Sequence, residues 1–94
     1  MTAETPSSWT FLTNHCHVLL AISNNPEIRQ REIADVVGIT IGAVQRIIHE
    51  LEDEGFVTHE KVGRRNLYRL NSRKSLRHPL VNEHSIDELV TSLK

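Results

Sequence analysis

Thr40, Ile41, Gly42, Gln45, Arg46 and His49 fall within one short stretch, and their types and spacing suit the reading of a polar surface. Gln45 carries a donor and an acceptor that match an adenine edge. Arg46 carries a planar fork of donors that matches guanine, and each pairing uses two hydrogen bonds. Thr40 stands where a helix would begin, with a hydroxyl and free N–H groups that suit a phosphate. Gly42 and Ala43 keep that beginning slim enough for close approach. These residues act together only if a helix presents them on one side. Val44, Ile47, Ile48 and Leu51 supply the reason to expect one, because their i, i+3, i+4, i+7 spacing makes a single apolar stripe that must face a core. The bland alternative is that the polar side is a solvated helix face.

Charge distribution adds a second set of residues. The chain of 94 residues has a formal net charge of −1, so overall charge neither favours nor excludes an anionic partner. Local charge is more telling: Lys61, Arg64, Arg65, Arg69, Arg73, Lys74 and Arg77 stand between Lys61 and Pro79 without an Asp or Glu among them. Acids gather instead at Glu50, Glu52, Asp53 and Glu54 and again at Glu83, Asp87 and Glu88. Such separation of sign gives a surface that can face phosphate, since local potential steers an anionic partner. Arg64 and Arg65 are the leading backbone or minor-groove candidates, and Arg29, Arg31, Lys61 and Arg69 are weaker phosphate candidates.

The remaining reactive side chains support little else. Six histidines and one cysteine raise the question of a metal or redox sensor. His15 and His17 are two apart and project to opposite sides of a helix, so they cannot share an ion within one chain. His84 with Asp87 or Glu88 has better spacing, and a symmetric dimer would supply the other half of such a site; the alternative is polar side chains flanking a helix cap. Cys16, set among Leu12, Leu19 and Leu20, reads as a small buried side chain before it reads as a redox switch. No phosphate-cradling glycine loop, nucleophile elbow or zinc-hydrolase histidine pair is present, so neither an enzyme nor a cofactor is expected.

The elements that position these residues follow from periodicity. A first helix is expected from Trp9 to Ser23, ending before Asn24-Asn25-Pro26 because proline cannot continue a helix. Ile28 to Gln30 is expected as a very short strand, then a second helix over Arg31 to Val37 and a third over Ile41 to Glu54. Gly38 sits where the second helix must stop, and Gly55 closes the third. The period then changes to that of strands, Phe56 to Val62 and Leu67 to Leu70, around a basic turn at Gly63-Arg64-Arg65-Asn66. Ser85-Ile86-Asp87-Glu88 is a capping-box pattern opening a last helix whose apolar stripe is Ile86, Leu89, Val90 and Leu93.

Ala34, Gly38 and the aliphatics Ile33, Val37, Ile39, Val44 and Ile47 match the helix-turn-helix pattern at each position, and Gly55 to Leu70 resembles the wing that follows it. From Trp9 to Leu70 the chain therefore resembles a winged helix-turn-helix regulator of the MarR or ArsR type. The WTFLTNH opening, the VGRRN turn and the LRHPL segment are similar to those of small bacterial winged-helix regulators.

The resemblance implies a mainly α fold with a small β-hairpin wing, an α+β class. Residues 1–8 would be a flexible N-terminus, 9–72 the winged domain, and 73–94 a basic linker and C-terminal helix. It also implies a sequence-specific regulator of transcription that binds double-stranded DNA, with helix 40–54 in the major groove and the wing on the backbone or minor groove. Small size and the unpartnered C-terminal stripe suggest a homodimer. Trp9, Phe11, Leu12, Ile86, Leu89, Val90 and Leu93 are its interface candidates, unless both chain ends simply complete a monomer core. A small-molecule effector is left open. A winged helix used only to dock a protein partner is the competing reading. No apolar run approaches the ~18 residues of a membrane helix, and the polar N-terminus lacks the plan of a signal peptide, so a cytoplasmic location is expected.

Overall fold

The computed structural model describes residues 9–94, so the expected flexible segment 1–8 lies outside the described residues. In chain order come α1 (Asn14–Asn24), α2 (Gln30–Val37), α3 (Ile41–Asp53), β1 (Val57–Val62), β2 (Arg65–Leu70) and α4 (Ile86–Ser92). Three helices pack together, the antiparallel β1–β2 hairpin extends from them, and α4 adds Ile86 and Val90 to the core. The expected α+β winged architecture is what forms.

Two polar side chains set where the first helix starts. The Thr13 hydroxyl accepts from the Cys16 N–H at 3.2 Å and caps α1. Just before it, the Thr10 hydroxyl donates to the Leu12 carbonyl, a local bond that competes with helix. The helix therefore begins at Asn14, not at Trp9 as the apolar spacing suggested. The strand expected at Ile28 to Gln30 is also absent. Asn25 turns the chain, its carbonyl accepting from the Ile28 N–H at 2.9 Å. Glu32 then takes the Arg29 N–H at 2.9 Å, so Gln30 already belongs to α2. One backbone bond, Tyr68 N–H to the Pro26 carbonyl at 2.9 Å, is what the segment contributes alongside β2.

The turn between α2 and α3 is as tight as the sequence suggests. Gly38 has φ 85°, the left-handed conformation that a side chain resists. Its N–H and that of Ile39 both close on the Ala34 carbonyl, at 2.8 and 3.1 Å. Thr40 follows at once as the cap of α3, its hydroxyl accepting from the Ala43 N–H at 3.0 Å. At the other end of α3 the Gly55 and Phe56 N–H groups bond the Glu52 and Leu51 carbonyls, which turns the chain directly into β1.

Val18, Ile22, Ile33, Val44, Ile47 and Val57 are the most deeply buried side chains, drawn from all three packed helices and the root of the hairpin. Each such aliphatic side chain contributes about 1.5–3 kcal/mol through burial. Beyond Leu70 the chain doubles back: the Leu76 N–H bonds the His84 carbonyl and the Ile86 N–H bonds the Lys74 carbonyl, both at 2.9 Å. That return seats α4, capped by the expected exchange between Ser85 and Glu88. Ile86 and Val90 join the core, which corrects their place among the interface candidates. Four residues apart on a short helix, they occupy the one face that the domain can cover.

Candidate nucleic-acid interface

The two faces of α3 are sharply unlike. Val44, Ile47, Ile48 and Leu51 are buried, while Ile41, Gly42, Gln45, Arg46 and His49 are exposed on the opposite side. Thr40 stands exposed at the tip, its hydroxyl oxygen occupied in capping. All six recognition candidates thus share one surface. Gly42 is informative within it, because a Cβ there would meet nothing closer than the Thr40 hydroxyl at 3.9 Å. Among the described residues no contact requires that position to lack a side chain.

The hairpin carries the second set. Val62 and Arg65 are the last cross-strand pair, so Gly63 and Arg64 alone make the turn, with Gly63 at φ 65°. Glycine at the first of two turn positions matches the right-handed twist of the strands. Arg65 and Asn66, expected in the turn, instead open β2, and Arg64 is the residue that crowns the tip. Arg65 reaches Glu27 at 3.5 Å, Arg69 reaches Glu60 across the strands at 3.7 Å, and Lys61 is exposed opposite Asn66. Exposed pairs of this kind contribute little and yield readily to a stronger anion. Arg29 and Arg31 are exposed at the start of α2.

Arg46 is not free. Its Nη1 lies 3.2 Å from Glu50 Oε1 and 3.4 Å from Oε2, and the same Oε1 is 2.6 Å from His15 Nε2 on α1. The His15 hydrogen bond first, and Arg46 after it, hold the Glu50 carboxyl below its ordinary range. Glu50 and His15 were missed as site residues. The one-turn spacing of Arg46 and Glu50 is visible in the sequence, whereas the approach of His15 depends on how α1 crosses α3. His49 pairs with Asp53 at 3.3 Å, so it too has a partner one turn on.

The other candidates separate clearly. His84 Nδ1 lies 3.1 Å from Glu88, which also caps α4. Asp87 stands exposed beside them, and no group of three possible metal ligands occurs among the described residues. Partial burial pushes the Cys16 thiol up, away from the reactive thiolate. Trp9 and Phe11 are exposed, 62% and 92%, and meet edge to face with ring centroids 5.0 Å apart. Leu12 and Leu89 are half-buried along an apolar groove of about 1020 Å³ between the start of α1 and α4, and Leu93 is exposed at the chain end. Among the described residues no helix is long and apolar enough to cross a membrane.

Comparison with known proteins agrees with this geometry. A family model described as MarR family matches residues 10–65, more than half of the chain. An uncharacterized protein of Methanocaldococcus jannaschii is 39% identical over 59 residues, which cover 62% of this chain and 13% of that protein. The chain thus corresponds to a small part of that relative's length.

Proposed function

Since the chain belongs to the MarR family, we propose that it is a sequence-specific transcription regulator that binds double-stranded DNA as a homodimer. In this reading α3 lies in the major groove and residues 62–67 lie on the backbone or in the minor groove. The observation that carries it is the division of α3: one face fully committed to the core, the other exposed and composed of Ile41, Gly42, Gln45, Arg46 and His49. A helix so fixed can present side chains to base edges in one register. The bare backbone at Gly42, which packing among the described residues does not demand, suits close approach of a partner to the helix start.

Arg46 and Gln45 read bases in this proposal, and Thr40 lies beside a phosphate at the helix start. Arg64 and Arg65, with Lys61, Arg69, Arg29 and Arg31 in support, neutralise phosphates and bring affinity more than sequence preference. Trp9, Phe11, Leu12, Leu89 and Leu93 are among the apolar residues left at the surface or along the groove, and there a second subunit would bury them. A two-fold dimer would place its two α3 helices on half-sites about one helical turn, ~10 base pairs, apart.

Selection of bound sequences from random duplex DNA tests binding, specificity and spacing together. Enrichment of a two-fold symmetric sequence with that half-site spacing is the expected result. No enrichment, together with no salt-dependent affinity for any duplex, would overturn the proposal and leave the outer face of α3 to a protein partner.

A further inference from the structure

A contact between α1 and the middle of α3 has no part in the proposed reading of DNA, yet it reaches the residue on which that reading leans most. Glu50 lies one helical turn beyond Arg46 and bonds it through both carboxylate oxygens, at 3.2 and 3.4 Å. The pull is therefore toward the C-terminal half of α3, away from the end that enters a groove. An isolated exposed pair at this spacing would be weak, because two long side chains must be ordered to make it. Here the carboxylate is already ordered by His15 Nε2 at 2.6 Å, donated from α1 and 35 residues distant in sequence. Only Arg46 is left to immobilise.

We propose that Glu50 is a positioning residue that holds Arg46 retracted until a correct base displaces it, and so limits the affinity and discrimination that Arg46 delivers, and that His15 is its anchor. The proposal rests on the reading of Arg46 as a base-contacting residue. A guanine edge offers two acceptors in the geometry of the guanidinium fork and competes with the carboxylate. An edge with fewer acceptors does not, and Arg46 then stays with Glu50. The cost of breaking the pair thus falls on the correct complex and spares the wrong one, so Glu50 tempers both affinity and discrimination at that base pair. Asp53, Glu54, Arg77 and His78 line the same groove as His15 and Glu50, and His49 is paired with Asp53. Arg64 at the hairpin tip has no ion pair among the described residues, in keeping with a contact that serves affinity alone.

The test compares the full chain with Glu50→Gln, His15→Ala, His15→Gln, Arg46→Ala and the double variant Glu50→Gln/Arg46→Ala. Each is titrated with the selected duplex and with one altered at the base pair that Arg46→Ala identifies. Glu50→Gln is expected to bind the selected duplex about two- to fivefold more tightly, with a smaller gain on the altered one, as befits release of an exposed ion pair. The difference should vanish when Arg46 is alanine. His15→Ala should act in the same direction but less, and His15→Gln, which keeps a donor, should restore the parent behaviour. In the free protein, the Arg46 side-chain N–H resonance should move in Glu50→Gln and in His15→Ala.

A gain that persists in the double variant means simple repulsion between Glu50 and DNA, and overturns the proposal. So does an Arg46 resonance that ignores both changes. If Arg46→Ala lowers discrimination while Glu50→Gln leaves it untouched, this proposal alone fails. If Arg46→Ala does not affect discrimination, the base-reading role fails and carries this proposal with it.

Discussion

α3 and the β1–β2 hairpin both carry exposed basic side chains, but they are supported in different ways. α3 is buried along its length at Val44, Ile47, Ile48 and Leu51, capped by Thr40 at its start and closed through Gly55 and Phe56 at its end. The hairpin is buried only near its root, at Val57 and Tyr68, and from Thr58 to Arg65 it is exposed. A side chain on α3 is thus fixed by the core, whereas one at the hairpin tip is fixed by little beyond the strand ladder. Rigid support suits selection among bases, since a misplaced donor loses both hydrogen bonds. Pliable support suits phosphates, which repeat along the duplex and tolerate many poses. The proposed division of labour follows from packing as much as from charge.

The largest way to break this comparison is to remove the support itself. Ile47→Ala leaves a cavity in the middle of the buried face and should cost about 2–5 kcal/mol in denaturant unfolding. Val62→Ala, 57% exposed near the hairpin tip, should stay within ~0.5 kcal/mol. Comparable losses at the two positions would mean that the hairpin is as deeply integrated as α3. Next in size is the contrast in binding. Arg46→Ala should lower discrimination at one base pair by ~1–3 kcal/mol, while Arg64→Ala should weaken all duplexes evenly and reduce the salt slope by roughly 1. Salt-dependent titrations with matched and mismatched duplexes measure both. Identical behaviour of the two variants would erase the distinction between reader and clamp.

The same contrast explains what the sequence disclosed. α3 was legible because its aliphatic stripe, its capping threonine and the glycines on either side all point to one helix. The hairpin was legible in kind but not to the residue: the change of period placed two strands, while pairing of Val62 with Arg65 decided that Gly63 and Arg64 alone turn. The start of α1 was misread because apolar spacing runs back to Trp9, and only the Thr10 and Thr13 hydroxyls show that helix cannot begin there. The stripe on α4 was read as one surface, yet Ile86 and Val90 face the core and Leu93 does not. Which part of an amphipathic stripe a domain covers depends on the shape of the domain. The candidates on the outer face of α3 were named from the stripe opposite them, but the contact of Glu50 with His15 joins residues 35 apart. No spacing rule reaches across that distance.

A smaller effect separates fixing a helix from fixing its first turn. Thr40→Ala removes the acceptor for the Ala43 N–H and should cost about 1 kcal/mol. Because the cap also sets the path of the chain from Gly38 into α3, the same variant should weaken binding to the selected duplex while leaving the salt slope unchanged. A stability loss without any loss of affinity would show that the buried face alone is enough to orient α3.

The smallest effect is acid sensitivity of the tie between α1 and α3. His15 first, then Arg46, lower the Glu50 carboxyl below its ordinary 4.5, so the folded chain binds that proton less readily than the unfolded chain does. Stability from this source is therefore complete above the unfolded value and is lost as pH falls through the lowered one. Glu88, held down by His84 and by the Ser85 N–H, adds a contribution of the same sign at α4. Both carboxylates are exposed, so salt screens their share. Between about pH 5 and about pH 3 the parent should lose more stability than Glu50→Gln does, and the gap should narrow as salt is added. Equal losses at low salt would mean that Glu50 contributes nothing to holding α3 on α1. The orientation of α3 would then depend on its buried aliphatic face alone, while the hold on Arg46 would remain a matter for the binding titrations.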